Sequence, residues 1–111
     1  MEKELGKIES VRFGFGGYQD AMFGLSLTFS GAGWGICDFV SGGWQSSIEG
    51  GGNCKWTEND RNIARAAMVE RIDKILTDAK VDSVDELKGK PVEVIFDGMT
   101  LKDWRILKEV L

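Results

Sequence analysis

Apolar residues alternate with small and polar ones through the first part of the chain. In residues 22–30, Phe23, Leu25, Leu27 and Phe29 share one face of an extended backbone, and Gly24, Ser26, Thr28 and Ser30 share the other. A period of two predicts a half-buried strand. Residues 8–15 repeat the pattern, with Val11, Phe13 and Phe15 on one face and Ser10, Arg12 and Gly14 on the other. The Gly16-Gly17 pair after them predicts a chain reversal, because glycine reaches positive φ without a steric cost. A third strand is predicted over residues 34–40, where Trp34, Ile36 and Val40 flank Asp38 on one face. Residues 41–55 have no periodicity and predict a mobile loop.

The period then changes. Ile63, Ala64, Ala67, Met68, Ile72, Ile75, Leu76 and Ala79 recur at spacings of three and four, the stripe of an amphipathic helix over 57–80. Thr57 is placed to cap it, and Glu58 and Asp60 occupy the first turn, where the helix dipole favours acids. Glu70 and Lys74 stand four apart in the favourable order for an ion pair. Ser83-Val84-Asp85-Glu86 fits a capping box for a short helical turn, closed by Gly89 and Pro91. Residues 92–97 form a strand with Val92, Val94 and Phe96 on one face, and Asp97-Gly98 is a hairpin signal. Residues 101–111 fit a strand through Trp104, Ile106 and Val110 better than a helix through Leu101, Trp104, Leu107 and Leu111. These elements predict a single α+β domain over residues 1–111. It would have an antiparallel sheet of four to five strands, with one long amphipathic helix packed across one face.

Composition narrows the chemistry. Glycine is concentrated early: of fifteen, only Gly89 and Gly98 lie beyond residue 52. Residues 1–52 hold three of the fourteen basic and six of the eighteen acidic residues, so a weakly charged half precedes a charge-dense one. The net charge of −4 argues against general nucleic-acid binding, which needs a surplus of Lys and Arg. There is no histidine, which removes His-dependent triads and the commonest general base. Two cysteines, Cys37 and Cys54, cannot complete a four-ligand zinc site. No metal or other cofactor is implied. The charged start Met1-Glu2-Lys3-Glu4 lacks the apolar core of a signal peptide, and no apolar run is long enough to cross a bilayer. A cytoplasmic protein with two free thiols is expected.

The segment GAGWGICDFVSGGW, residues 31–44, is the most unusual stretch. As a binding surface it offers close backbone approach at its glycines and flat faces at Trp34, Phe39 and Trp44. As plain structure, its glycines let a strand bend and its tryptophans fill core. A nucleotide loop is disfavoured, because Ile36 and Cys37 follow where a phosphate loop needs Lys and Ser or Thr. Cys37 lacks a nearby base, since no Arg or Lys lies between Arg12 and Lys55, and is expected to be a small buried apolar residue. Asp38 on an apolar strand face is expected either to pair, with Arg61 or Arg65, or to lie exposed on an edge. Arg61, Arg65, Arg71 and Lys74 interleave with Glu58, Asp60, Glu70 and Asp73 and predict a salt-bridged solvated helix face.

The pattern LKGKPVEVIFDG followed by LKDWRILKEVL, residues 87–111, together with GAGWG, resembles small proteins encoded by phages and prophages. The resemblance is one of texture and transfers no active residue. It implies a viral origin, and with it antagonism of host defence of the anti-CRISPR kind. The leading expectation is a non-enzymatic binding protein that inhibits a host protein complex by covering a surface. Its expected contacts are Trp34, Asp38, Phe39, Trp44, Arg61 and Arg65. The alternative is a sponge that sequesters a small nucleotide signal in a pocket of Trp and Arg. A homodimer is compatible with either, and no membrane partner is implied.

Overall fold

A computed structural model describes residues 1–46 and 57–111. Five antiparallel strands form one sheet: β1 (Glu2–Gly16), β2 (Met22–Gly31), β3 (Trp34–Trp44), β4 (Pro91–Asp97) and β5 (Thr100–Ile106). Their spatial order is β3-β2-β1-β4-β5, so the first strand is the central one. One helix, α1 (Glu58–Ala79), packs on the sheet. The expected α+β architecture is the observed one.

The sheet is strongly coiled. Four steps of ~4.8 Å would set the outer strands of a flat sheet ~19 Å apart. Here the backbones of β3 and β5 come within 8 Å of each other, and side chains from the two strands are hydrogen-bonded. The result is a part-closed barrel with an inner and an outer face. Cross-strand register assigns Leu25, Leu27 and Phe29 of β2 to the inner face. Val40, Asp38 and Ile36 of β3 oppose them, and Val92 and Val94 of β4 share that face with Trp104 and Ile106 of β5. Ile75 and Ala79 of α1 and Leu87 complete the core with Ile8.

β1 is longer than the 8–15 stretch expected from alternation. Its first residues, Glu2 to Lys7, pair with β4, and the stretch from Gly6 to Gly16 pairs with β2. The register shifts between Ile8 and Ser10, leaving Glu9 as an inserted residue. Such a bulge reverses the phase of alternation. It lets Ile8 point inward along with Val11, Phe13 and Phe15, although their numbers differ in parity. Past Gly16 the chain does not turn tightly. Gly17 has φ of 72°, and a short 3₁₀ turn spans Tyr18–Asp20.

β3 also runs further than 34–40. Ser41 to Trp44 belong to the strand, because Met22 pairs with Trp44 and the ladder continues as Gln45 N–H donates to Ala21 O. The remainder of the expected loop, from residue 47, lies outside the described residues. The β4–β5 connection is the hairpin at Gly98, φ 63°, and the chain after Ile106 ends in a 3₁₀ turn, Lys108–Val110. Val110 is therefore exposed and takes no part in a strand.

Helix α1 is capped as expected. Thr57 accepts from Asp60 N–H and Asp60 accepts from Thr57 N–H, while Lys80 closes the helix in the left-handed region. Its sheet-facing line is Arg61, Arg65, Met68, Ile72, Ile75 and Ala79, at alternating spacings of four and three. Ile63 lies off that line and is 61% exposed, and Ala67 is exposed too. The apolar stripe is thus confined to the helix beyond Arg65. Met68 lies against Gly42 of β3, where a Cβ would meet its sulfur at 2.8 Å. Lys74 pairs with Asp78 at 2.6 Å instead of with Glu70. Among the described residues, no helix is long and apolar enough to cross a membrane.

Candidate binding surfaces

The six residues expected to form one contact surface are distributed over the barrel. Trp34, at the start of β3, lies on the inner face across the paired glycines Gly6 and Gly31. A Cβ on either glycine would come within 3.0 Å of the indole, so the bare backbone is what admits it. Its ring meets Phe96 of β4 edge to face, with centroids 5.2 Å apart. Phe39 is on the outer face, against Gly16. Trp44 is half-buried at the far end of β3. The expected Gly/aromatic surface is therefore split between two faces and two ends, because neighbouring positions in a strand alternate.

Asp38 is on the inner face, as its position beside Ile36 and Val40 requires. Its partner is neither Arg61 nor Arg65. Oδ2 accepts from Trp104 Nε1 at 2.8 Å, and Oδ1 accepts from the Phe39 N–H at 2.9 Å. Two donors, one for each oxygen, satisfy the carboxylate on a half-buried strand.

Arg61 and Arg65 turn toward the sheet, and the solvated arginine face expected for this helix is not formed. Arg65 lies over the Phe23 ring, 5.5 Å from its centroid, and donates to Ser46 Oγ at 3.1 Å. Arg71 lies 5.5 Å over the Trp104 ring. Arg61 approaches Glu58 at 4.0 Å. In both Arg61 and Arg65 the Nε atom is buried without a hydrogen-bond partner. Planar guanidinium groups stacked on rings cover apolar surface with their stems and flat faces. These side chains complete the wall where the helix has no large apolar residues to offer.

Cys37 is exposed and unbridged, which corrects the expectation that it is buried. Its register partner is Thr28, on the outer face of β2. Cys54 lies outside the described residues. Among the described residues, no group of three or more His, Cys, Asp or Glu could hold a metal ion.

Two places expose what the rest of the molecule covers. The first is the second half of β1. β4 pairs only as far as Lys7, and the last backbone bonds on that side join Ile8 to Gly89 and Lys90. Among the described residues, no strand pairs that side of β1 from Ser10 to Gly16. Phe13 and Phe15 stand there 47% and 49% exposed, with Phe23 packed against both at 5.1 and 5.8 Å. Arg12 folds its guanidinium onto the Phe15 carbonyl. Sequence alternation put these phenylalanines on one strand face with Val11. It held no signal for the missing neighbour, which depends on where β4 stops.

The second place is the opposite end of β1, where Glu2 and Glu4 share the inner face with Phe96 and Val94. A cavity of about 440 Å³ opens there, lined by Glu2, Glu4, Trp34, Ile36, Phe96 and Met99 among others. Neither the glutamates nor Met99 stand out in the sequence as site residues, because their meeting with Trp34 is set by register between strands distant in sequence. No family model, curated protein or solved structure matches the chain.

Proposed function

We propose that this chain is a non-enzymatic binding protein that inhibits a host protein complex by covering one of its surfaces. The observation that carries the reading is the side of β1 from Ser10 to Gly16, which no strand pairs among the described residues and which bears Phe13 and Phe15. An open strand offers a row of unused N–H and C=O groups, and natural proteins ordinarily cover such an edge or guard it with charge. Here the only charged side chain between Ser10 and Gly16 is Arg12, which takes up the Phe15 carbonyl and leaves the rest of the stretch without a charged guard. The occupant is an extended segment of the partner, added as a further strand. Its backbone would supply the hydrogen bonds, and its apolar side chains would meet Phe13 and Phe15 on the inner face. The phage-like texture of residues 87–111 supports a host defence complex as the partner. A nucleotide sponge is disfavoured, since the 440 Å³ cavity carries Glu2 and Glu4, which repel phosphate, and Arg61 and Arg65 are engaged beside the sheet.

The test is capture from host lysate by the wild-type chain and by Phe13→Ser/Phe15→Ser, with sedimentation of each protein alone. The reading expects a captured complex whose activity the wild type inhibits, and at least a tenfold loss of affinity in the double variant at unchanged Tm, as for a pair of central aromatic contacts. Equal capture by the variant would overturn it. So would a wild-type dimer that the same substitutions dissociate, because the edge would then belong to a second copy.

A further inference from the structure

We infer that the cavity at the start of β1 is a binding site for an organic ammonium group carried on a short apolar body. The site is separate from the open half of β1 and does not depend on its function. Its walls are two aromatic rings set nearly at right angles, Trp34 and Phe96, with an interplanar angle of 81°. The rings meet edge to face, so one covers a face of the other, and the ring surface left lining the cavity attracts a cation through its quadrupole. Ile36 and Met99 add apolar lining, and Met99, at the tip of the β4–β5 hairpin, is 95% exposed.

Charge selects the sign of the occupant. Glu2 and Glu4 lie on the inner face by register, opposite Phe96 and Val94. Among the described residues neither forms an ion pair, in contrast to Glu9, Glu58, Glu93 and Glu109. Lys3, between them in sequence, points to the other face of the strand. Two carboxylates without an ion pair, beside two lining aromatic rings, repel a phosphate or carboxylate and attract a cation. A bare metal ion fits poorly, because Glu2 and Glu4 are the only carboxylates in the lining, among the described residues no group of three or more ligands gathers, and a hard cation takes about six or more oxygens. A weakly hydrated alkylammonium fits both parts of the lining. The volume of about 440 Å³ lies within the ordinary range for small-molecule sites and exceeds what a methylammonium head alone would fill.

The same chemistry is available from a free small molecule or from a lysine-type side chain of a protein, so the test has two ligand arms. Choline and a short peptide with one trimethyllysine are titrated against the full chain. The Trp34 indole N–H resonance is followed, assigned by its absence in Trp34→Phe. The neutral isostere of choline, 3,3-dimethylbutanol, is the control. A saturable shift with choline or the peptide is expected, weakened about tenfold or more for the neutral isostere and in Glu2→Gln/Glu4→Gln. Those glutamates are exposed, so the double variant should keep the wild-type circular dichroism and Tm. Tighter binding of the peptide would identify a protein side chain as the source, and tighter binding of choline a free ligand. No saturable shift with either up to ~50 mM would overturn the inference. Equal binding of the neutral isostere, or unchanged binding in the Gln variant, would overturn it as well.

Discussion

The indole N–H of Trp104 donates to Asp38 Oδ2 at 2.8 Å, and so joins one outer strand of the sheet to the other. Trp104 is 4% exposed and packs on Phe29 at 4.6 Å, with Arg71 over its ring. The bond therefore holds the coil of the sheet at the place where the helix closes it. Asp38→Asn leaves one oxygen to serve two donors, and a hydrogen bond to a charged acceptor contributes ~1.5–3 kcal/mol. A loss of ~2 kcal/mol is expected, seen as a Tm lower by ~8 °C. Trp104→Phe combined with Asp38→Asn should cost less than the sum of the single losses. Strict additivity in that double-mutant cycle by thermal melting would show that the two side chains do not act together.

Trp34 and Gly31 make a second dependence that can be tested. The indole occupies the space a Cβ at Gly31 would need, with Cζ2 and Nε1 both at 2.5 Å from that point. Gly31→Ala should force the ring aside and destabilise by ~1–3 kcal/mol. It should also move tryptophan emission to longer wavelength as the ring meets water. In a Trp34→Ala background the same alanine should cost much less. An equal cost in both backgrounds would place the strain in the backbone and not in the indole.

Much of the fold was legible because periodicity is local. Phe23 to Phe29 alternate without interruption, and Thr57 with Asp60 cap α1 as their spacing dictates. The failures have two physical origins. At Glu9 a bulge shifts the phase, so Ile8 reaches a core from which simple alternation excludes it. In α1, Arg65 and Arg71 lie over Phe23 and Trp104, and residue type alone places them in water. The candidate site was less legible still. Trp34 could be named from composition, but its neighbours Glu2, Glu4 and Phe96 come from the pairing of β1 with β4. The open edge beside Phe13 is likewise a property of strand lengths, and no single segment encodes it.

Acid should destabilise the protein, and the midrange of pH should leave it unchanged. Lys74 donates to Asp78 and lowers its pKa below the ordinary carboxyl value, Ser30 and Lys7 do the same for Glu9, and Arg105 for Glu109. Each folded-state pKa lies below its unfolded value. The associated stability is present above the unfolded value, near ~4, and is lost as pH falls through the folded value. With no histidine in the chain, no side chain of ordinary pKa titrates between about pH 5.5 and 7. Tm should be flat over that interval and fall below about pH 4. Lys74→Gln should soften the acidic decline by removing the largest influence on Asp78. A change of several degrees between pH 7 and 6 in thermal melts would contradict this account.

The central place of β1 sets a schedule for folding. β1, β2 and β3 are successive neighbours and can pair as soon as they exist, and β4 with β5 is a local hairpin. Joining the two groups is another matter, since Glu2 must meet Phe96 and Lys7 must meet Pro91. Closing so long an intervening chain is entropically costly and slow. Until it happens, Leu25, Leu27 and Phe29 have no cover from β4 or β5, whereas α1 packs chiefly on its sequence neighbour β3. A β1-β2-β3 meander whose oily face lacks the cover of β4 and β5 is the species expected to accumulate first and to attract chaperones. Pulse-labelled amide exchange during refolding should show protection within β2 and β3 before β4 and β5 dock. Simultaneous protection of all five strands would mean that the barrel closes in one step.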